Sequence, residues 1–273
     1  MAVPVITLES NKDGRDIVIG DLHGMVNVLN TLLAQVGFDP RRDRVISVGD
    51  LIDRGAQNEQ AIALLDEPWF FAVKGNHEQM LIDAVDFEAS RQHWFEQGGA
   101  WACDLSQAQL LTYAKRLDAL PYALEFNSGK LRVGVVHAEV PEGMSWQSLK
   151  TTLTTQSQNT EQARRKAILQ ENVMWSRTRF NNKRESIVED IDFVVVGHSI
   201  VCKEGILGNT CYIDTGAYLA QAYNDNVVNS DVYLTAAIIK NGAISFHRTR
   251  SFSVVKIPEY SAAKLKKEAI SNG

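Results

Sequence analysis

Between residues 16 and 78 the chain repeats one pattern three times. An apolar run (16–19, 44–48 and 69–73) ends in a short polar motif, and a helix-like segment follows. The motifs are Gly20-Asp21-Leu22-His23-Gly24, Gly49-Asp50-Leu51-Ile52-Asp53-Arg54-Gly55 and Gly75-Asn76-His77-Glu78. Three β-loop-α units in series favour a parallel or mixed sheet with helices on its faces. Such sheets bind ligands at the carboxyl ends of their strands. Asp21, His23, Asp50, Asp53, Arg54, Asn76 and His77 are therefore expected along one edge. Carboxylate oxygen, imidazole nitrogen and amide oxygen suit a hard or borderline divalent metal such as manganese, iron or zinc. Carboxylates gathered this closely repel one another unless a cation sits between them. Helix capping accounts for Asp21 or Asp50 alone, but not for three such motifs, each at a strand end.

Other properties of the chain narrow the classes of function. Its 273 residues are long enough to bury a core without staples, and a net charge of −5 argues against a general nucleic-acid or anionic-membrane binder. Three cysteines, Cys103, Cys202 and Cys211, form no Cys-x-x-Cys pair and read as reduced thiols of a cytoplasmic protein. No basic stretch leads into a long apolar run at the N-terminus, and no run reaches membrane-spanning length.

Helices are predicted around Val28–Val36 positions with a stop at Gly37, around Ala61 to Leu65, and around Met80 to Val85. Residues 86–120 read as a helical insertion with a capping box at Ser106 and Gln109. Its Trp94 and Trp101 read as an aromatic patch packing the insertion onto the core, and His93 stands outside the site. Residues 122–126 and 131–136 read as a hairpin whose second strand ends in His137, and 193–197 as a buried strand ending in His198. Both histidines share the strand-end placement of the earlier motifs and are read as ligands. Residues 150–160 read as loop and 161–171 as an exposed helix. The basic residues Arg164, Arg165, Arg179, Lys183 and Arg184 read mostly as a solvated face, and Glu139 is given no role. Residues 232–240 and 243–248 form a hairpin through Asn241-Gly242, taken to belong to a second sheet, with His247 at the surface. One domain over 1–258 and a polar tail over 259–273, helical from about Pro258, complete the expectation.

These motifs resemble the PPP-family phosphoprotein phosphatases of the calcineurin-like metallophosphoesterases, specifically the bacterial and phage lambda-type branch. Supporting stretches are 69–80, Gly98-Gly99-Ala100-Trp101, 173–177 and 212–217. The likeness spans about residues 16 to 240. It implies an α/β fold of two mixed β-sheets packed as a central sandwich flanked by helices. It also implies two divalent metal ions, manganese first and iron or zinc as alternatives. Asp21, His23 and Asp50 hold the first in this scheme; Asp50, Asn76, His137 and His198 hold the second. A hydroxide shared by the metals attacks phosphorus in line. Arg54 and Arg177 fork onto the phosphate oxygens, and His77, paired with Asp53, protonates the leaving alkoxide.

The implied enzyme is a cytoplasmic serine/threonine protein phosphatase, a hydrolase of phosphorylated protein or peptide that also accepts small aryl phosphates. It needs neither nucleic acid nor membrane. The alternative is a symmetrical dinucleoside tetraphosphate hydrolase. In those relatives the second motif typically lacks the acid that stands here as Asp53, and the third typically ends in Asp, where this chain has Glu78.

Overall fold

Apolar residues on both faces of the central strands decide the layering. In β2 (Asp16–Ile19) all four residues are buried. Ile17 and Ile19 pack into one core cluster with the helices, while Val18 packs into another with residues of the opposite sheet. Fully burying each such side chain is worth about 1.5–3 kcal/mol. The computed structural model describes residues 3–156, 159–219, 233–250 and 253–261.

Two six-stranded sheets form the centre. One contains β2, β3 (Arg44–Ser47), β4 (Phe70–Ala72), β10 (Leu234–Lys240), β11 (Ala243–Arg250) and β12 (Ser253–Ser261), in the order β12-β11-β10-β2-β3-β4. The other contains β1 (Val5–Leu8), β5 (Ala123–Ser128), β6 (Leu131–Val136), β7 (Phe193–Val196), β8 (Gly205–Leu207) and β9 (Thr210–Tyr212), in the order β1-β5-β6-β7-β9-β8. Between the sheets lie Val18, Ile46 and Val48 from the first, and Val133, Val135, Val195 and Cys211 from the second. Helices α1 (Val26–Gln35), α2 (Asn58–Ala63), α3 (Asn76–Asp86), α4 (Glu88–Glu96) and α5 (Gln107–Asp118) follow the strands of the first sheet. Helices α6 (Trp146–Thr154) and α7 (Thr160–Trp175) pack on the outer face of the second sheet, burying Trp146, Leu149, Val173 and Met174 against Val136 and Val194. A short α8 (Thr178–Asn181) follows. The expected sandwich of two mixed sheets flanked by helices is what forms.

Several local expectations need correction. The late hairpin joins the motif-bearing sheet: Ala236 pairs with Ile19 and Ile239 with Asp16, antiparallel. The second sheet is built on the 123–136 hairpin instead. Residues 150–154 are helix α6, because the Ser145 side chain caps its start and Trp146, Leu149 and Leu153 bury one face. Arg179 is 1% exposed rather than on a solvated face, and His247 is half-buried. Residues 258–261 lie in β12 rather than in a helix; the tail from 262 falls outside the described residues. The Asn241-Gly242 turn is as expected, with φ of 52° and 79°, the left-handed pair that a two-residue hairpin requires.

Candidate metal centre and active site

The parallel strands β2, β3 and β4 end side by side, so their loops leave the sheet together. Strands β6 and β7 do the same in the other sheet. The site lies where these edges meet. Gly49 makes the approach possible: its φ is +101°, and a Cβ there would fall 2.7 Å from Gly75 N and 3.0 Å from His137 Nδ1. Among the described residues, eight non-glycine residues have positive φ, and five of them are His23, Asp50, Asp53, Arg54 and His198. Such backbone costs on the order of 1–3 kcal/mol per residue and tends to persist at functional sites.

Asp50 is the centre of the arrangement and is 2% exposed. Its Oδ1 accepts the His77 backbone N–H at 3.0 Å and lies 3.4 Å from His137 Nε2. Its Oδ2 lies 3.7 Å from His23 Nε2 and 3.9 Å from His77 Nε2. One carboxylate thus faces two clusters of donors, His23–Asp50–His77 and Asp50–His137–His198. Burial by itself raises the Asp50 pKa, but the imidazoles around it, of which His77 is the one whose own pKa is raised, hold the carboxyl below its usual range.

The three histidines read as ligands each spend one ring nitrogen on a backbone carbonyl. His23 Nδ1 meets Ile52 O at 2.9 Å, His137 Nδ1 meets Val48 O at 2.8 Å, and His198 Nε2 meets Trp175 O at 3.1 Å. A carbonyl only accepts, so that nitrogen carries the hydrogen and the other keeps a lone pair. Burial pushes all three rings toward the neutral form, His198 down to about 3. His137 Nε2 then points its lone pair at Asn76 Oδ1, 2.8 Å away and also an acceptor. Converging acceptors with oriented outer partners fit divalent cations. Asp21 stands beside these groups: its carboxylate accepts the His198 backbone N–H at 3.1 Å and neighbours the Asp214 carboxyl. Burial and the neighbouring Asp214 raise the Asp21 pKa well above normal; burial raises that of Asp214 to about 6.

His77 is 1% exposed and its Nδ1 lies 2.7 Å from Asp53 Oδ2. Burial opposes its charge, but Asp50 and the Asp53 hydrogen bond outweigh burial, and its pKa is raised. Arg54 and Arg177 are exposed at the rim. Arg54 Nη1 meets His23 Nε2 at 2.8 Å and its guanidinium sits 4.4 Å over the Tyr218 ring. Arg177 Nη2 donates to His198 O at 3.1 Å. All ten residues singled out from the sequence therefore gather here, while His93 is exposed on α4.

Five residues that sequence reasoning left out also belong to the site. Glu78 Oε2 accepts from Asp50 N and Gly75 N, both at 2.8 Å, and its Oε1 accepts from Leu51 N at 2.8 Å. Glu139 Oε1 accepts from Ser176 Oγ at 2.6 Å and from Arg179 N at 3.0 Å, bracketing Arg177. Trp94 Nε1 and Trp101 Nε1 donate to Asp53 at 2.9 and 2.8 Å, so these rings do more than pack the insertion. Asp214 follows β9 and carried the same strand-end signal as His137 and His198.

The family model for calcineurin-like phosphoesterase matches residues 15–202, more than half the chain. Serine/threonine-protein phosphatase 1 of Salmonella typhimurium is 37% identical over 206 residues, 73% of this chain and 85% of that protein. A symmetrical bis(5'-nucleosyl)-tetraphosphatase of Pseudomonas fluorescens is 42% identical, but over 66 residues and 23% of either chain. Among solved structures, the cold-active protein-tyrosine phosphatase of a psychrophilic Shewanella matches in fold, with a TM-score of 0.59 over 94% of this chain and 83% of that one at 13% identity. Among the described residues, no helix is long and apolar enough to cross a membrane. Calcineurin-like phosphoesterases use a dinuclear divalent metal centre, which the two donor groups around Asp50 suit. The chain belongs to the calcineurin-like phosphoesterases, in their PPP branch, and is a metallophosphatase, a hydrolase.

Proposed function

We propose that the chain hydrolyses phosphoserine and phosphothreonine in proteins or peptides by direct in-line displacement. The observation that carries this reading is the buried His77–Asp53 pair, with Nδ1 2.7 Å from Oδ2 and His77 Nε2 turned toward Asp50 Oδ2 at 3.9 Å. With Asp53 accepting the Nδ1 hydrogen, Nε2 is the atom that faces the reacting centre. Its raised pKa favours a proton there. A serine alkoxide leaves poorly without that proton, whereas an aryl oxide or a nucleotide leaves more readily. A buried acid held charged is thus of most use with alkyl esters.

Asp21, His23 and Asp50 are proposed to hold one divalent cation, and Asp50, Asn76, His137 and His198 the other. When bound, the pair supplies an acidified water and neutralises phosphate charge. Manganese is the first choice; the mixed oxygen and nitrogen donors also admit iron or zinc. Arg54 and Arg177, always charged and exposed at the rim, are proposed to fork onto phosphate oxygens. Small aryl phosphates are expected substrates in vitro, and a cytoplasmic location fits the free cysteines.

A second reading, hydrolysis of dinucleoside tetraphosphates, is favoured by the 66-residue stretch that is 42% identical to such an enzyme. Asp53 and Glu78 speak for the first. The test is metal-stripped protein given manganese, magnesium, zinc or nothing, with a phosphoserine peptide, p-nitrophenyl phosphate and diadenosine tetraphosphate measured side by side. Manganese-dependent turnover with the peptide preferred supports the proposal. A higher specificity constant on the tetraphosphate overturns it.

A further inference from the structure

The helical insertion reaches back to the second motif through three hydrogen bonds. Trp94 of α4 donates its indole N–H to Asp53 Oδ2 at 2.9 Å, and Trp101 donates to Oδ1 at 2.8 Å. Between them Gly98 O accepts the Arg54 backbone N–H at 3.1 Å. Gly98 has φ +116°, and a Cβ there would fall 2.8 Å from Arg54 N, so only glycine lets the segment come this close.

An indole N–H is a donor only, and each buried one needs an acceptor. Here both choose the same carboxylate, one per oxygen. Asp53 is 0% exposed and Trp94 1%. The two rings stand edge to face, 6.3 Å apart at 86°. Held at both oxygens, the carboxylate cannot turn about its own axis, and its remaining partner is His77 Nδ1 at 2.7 Å. Packing alone requires neither N–H to point at Asp53.

We infer that Trp94 and Trp101 are positioning residues of the reaction. They fix the Asp53 carboxylate and through it the His77 ring, so the insertion sets how well a poor leaving group is protonated and thereby favours alkyl over aryl esters. This rests on the proposed phosphomonoesterase reading. It assigns the insertion a part in substrate selection, not only in covering the core.

The test compares kcat on a phosphoserine peptide and on p-nitrophenyl phosphate for wild type, Trp101→Phe, Asp53→Asn and the double variant, all loaded with manganese. Phenylalanine keeps a ring and removes the N–H; Trp101 is the half-buried member and the safer substitution. The alkyl rate should fall about tenfold more than the aryl rate, the lower end of losses for partners that orient a site residue. In the Asp53→Asn background the same change should add little, because both act through one carboxylate. Trp94→Phe, read by the same rate ratio, is the second probe should Trp101→Phe unfold. Equal slowing of both substrates, or full additivity with Asp53→Asn, overturns the inference. Absence of aryl turnover in wild type with every metal defeats the parent reading instead, so the two failures are told apart.

Discussion

Each half of the site is braced by a buried glutamate close after a histidine, and the two braces do different work. Glu78 follows His77 and gathers the backbone N–H groups of Asp50, Leu51 and Gly75. Glu139 follows His137 by two residues and gathers Ser176 Oγ and Arg179 N. The first brace shapes the loop that carries the Asp50 carboxylate. The second shapes the turn that presents an exposed arginine. On the proposed assignments, Glu78 steadies the loop of Asp50 and Glu139 the turn of Arg177, while His137 and His198 of the second sheet meet Asp50 at the seam.

Asp50→Asn should break both halves together. The change removes the charge that four histidine rings face, and the lost charge stabilisation of several kcal/mol predicts a fall of about 10³-fold or more in turnover. Metal content by mass spectrometry should fall with activity. Retention of both cations with turnover within tenfold of wild type would sink the assignment of Asp50 as the shared group.

His77→Asn acts on the chemistry rather than on either brace. Alkyl ester hydrolysis should slow by about 10²–10⁴-fold, the usual worth of a positioned acid, with full metal content and a smaller effect on aryl esters. Equal slowing of alkyl and aryl esters refutes the leaving-group role.

The comparison sharpens when the braces are cut separately. Glu78→Gln sets an NH₂ against N–H donors, leaving buried groups unmet. Metal affinity should weaken about 10–100-fold, visible as a higher manganese concentration for half-maximal activity. Glu139→Gln should leave that concentration unchanged and raise the KM for phosphopeptide, by about tenfold at most. If both variants respond alike to manganese, the division of labour is wrong.

How legible the halves were follows the same divide. The first was readable because three consecutive strands deliver three motifs within 63 residues, 16 to 78, and adjacent parallel strands keep sequence order in space. His137 and His198 were readable because each ends an apolar strand. Glu139 was not, since its partners lie 37 to 40 residues away. The pairing of β10 with β2 links residues more than 200 apart, which no local pattern reveals. Trp94 and Trp101 looked like packing because helical spacing records burial and not where an indole N–H points. Helix α6 was hidden by its threonines, poor helix formers that tertiary burial of Trp146 overrode.

The smallest expected effect tests the seam itself. Asp214 comes from the loop after β9 in the second sheet, yet its carboxyl neighbours that of Asp21 of the first. Burial raises both, Asp214 to about 6, so below that pH the metal-free pair carries protons that ordinary carboxyls near 3.8 would have shed. Loading a cation at Asp21 favours the carboxylate form, so protons must leave. Manganese affinity should therefore climb as pH rises through and beyond about 6, as Asp214 and then the further-raised Asp21 give up their protons. Calorimetric titrations of metal-stripped protein at pH 5.5 in buffers of different ionisation enthalpy should show proton release, on the order of one per protein molecule. In Asp214→Asn the release should shrink and the pH dependence flatten. Unchanged release in that variant would place the titrating group elsewhere and leave the first half independent of the second sheet.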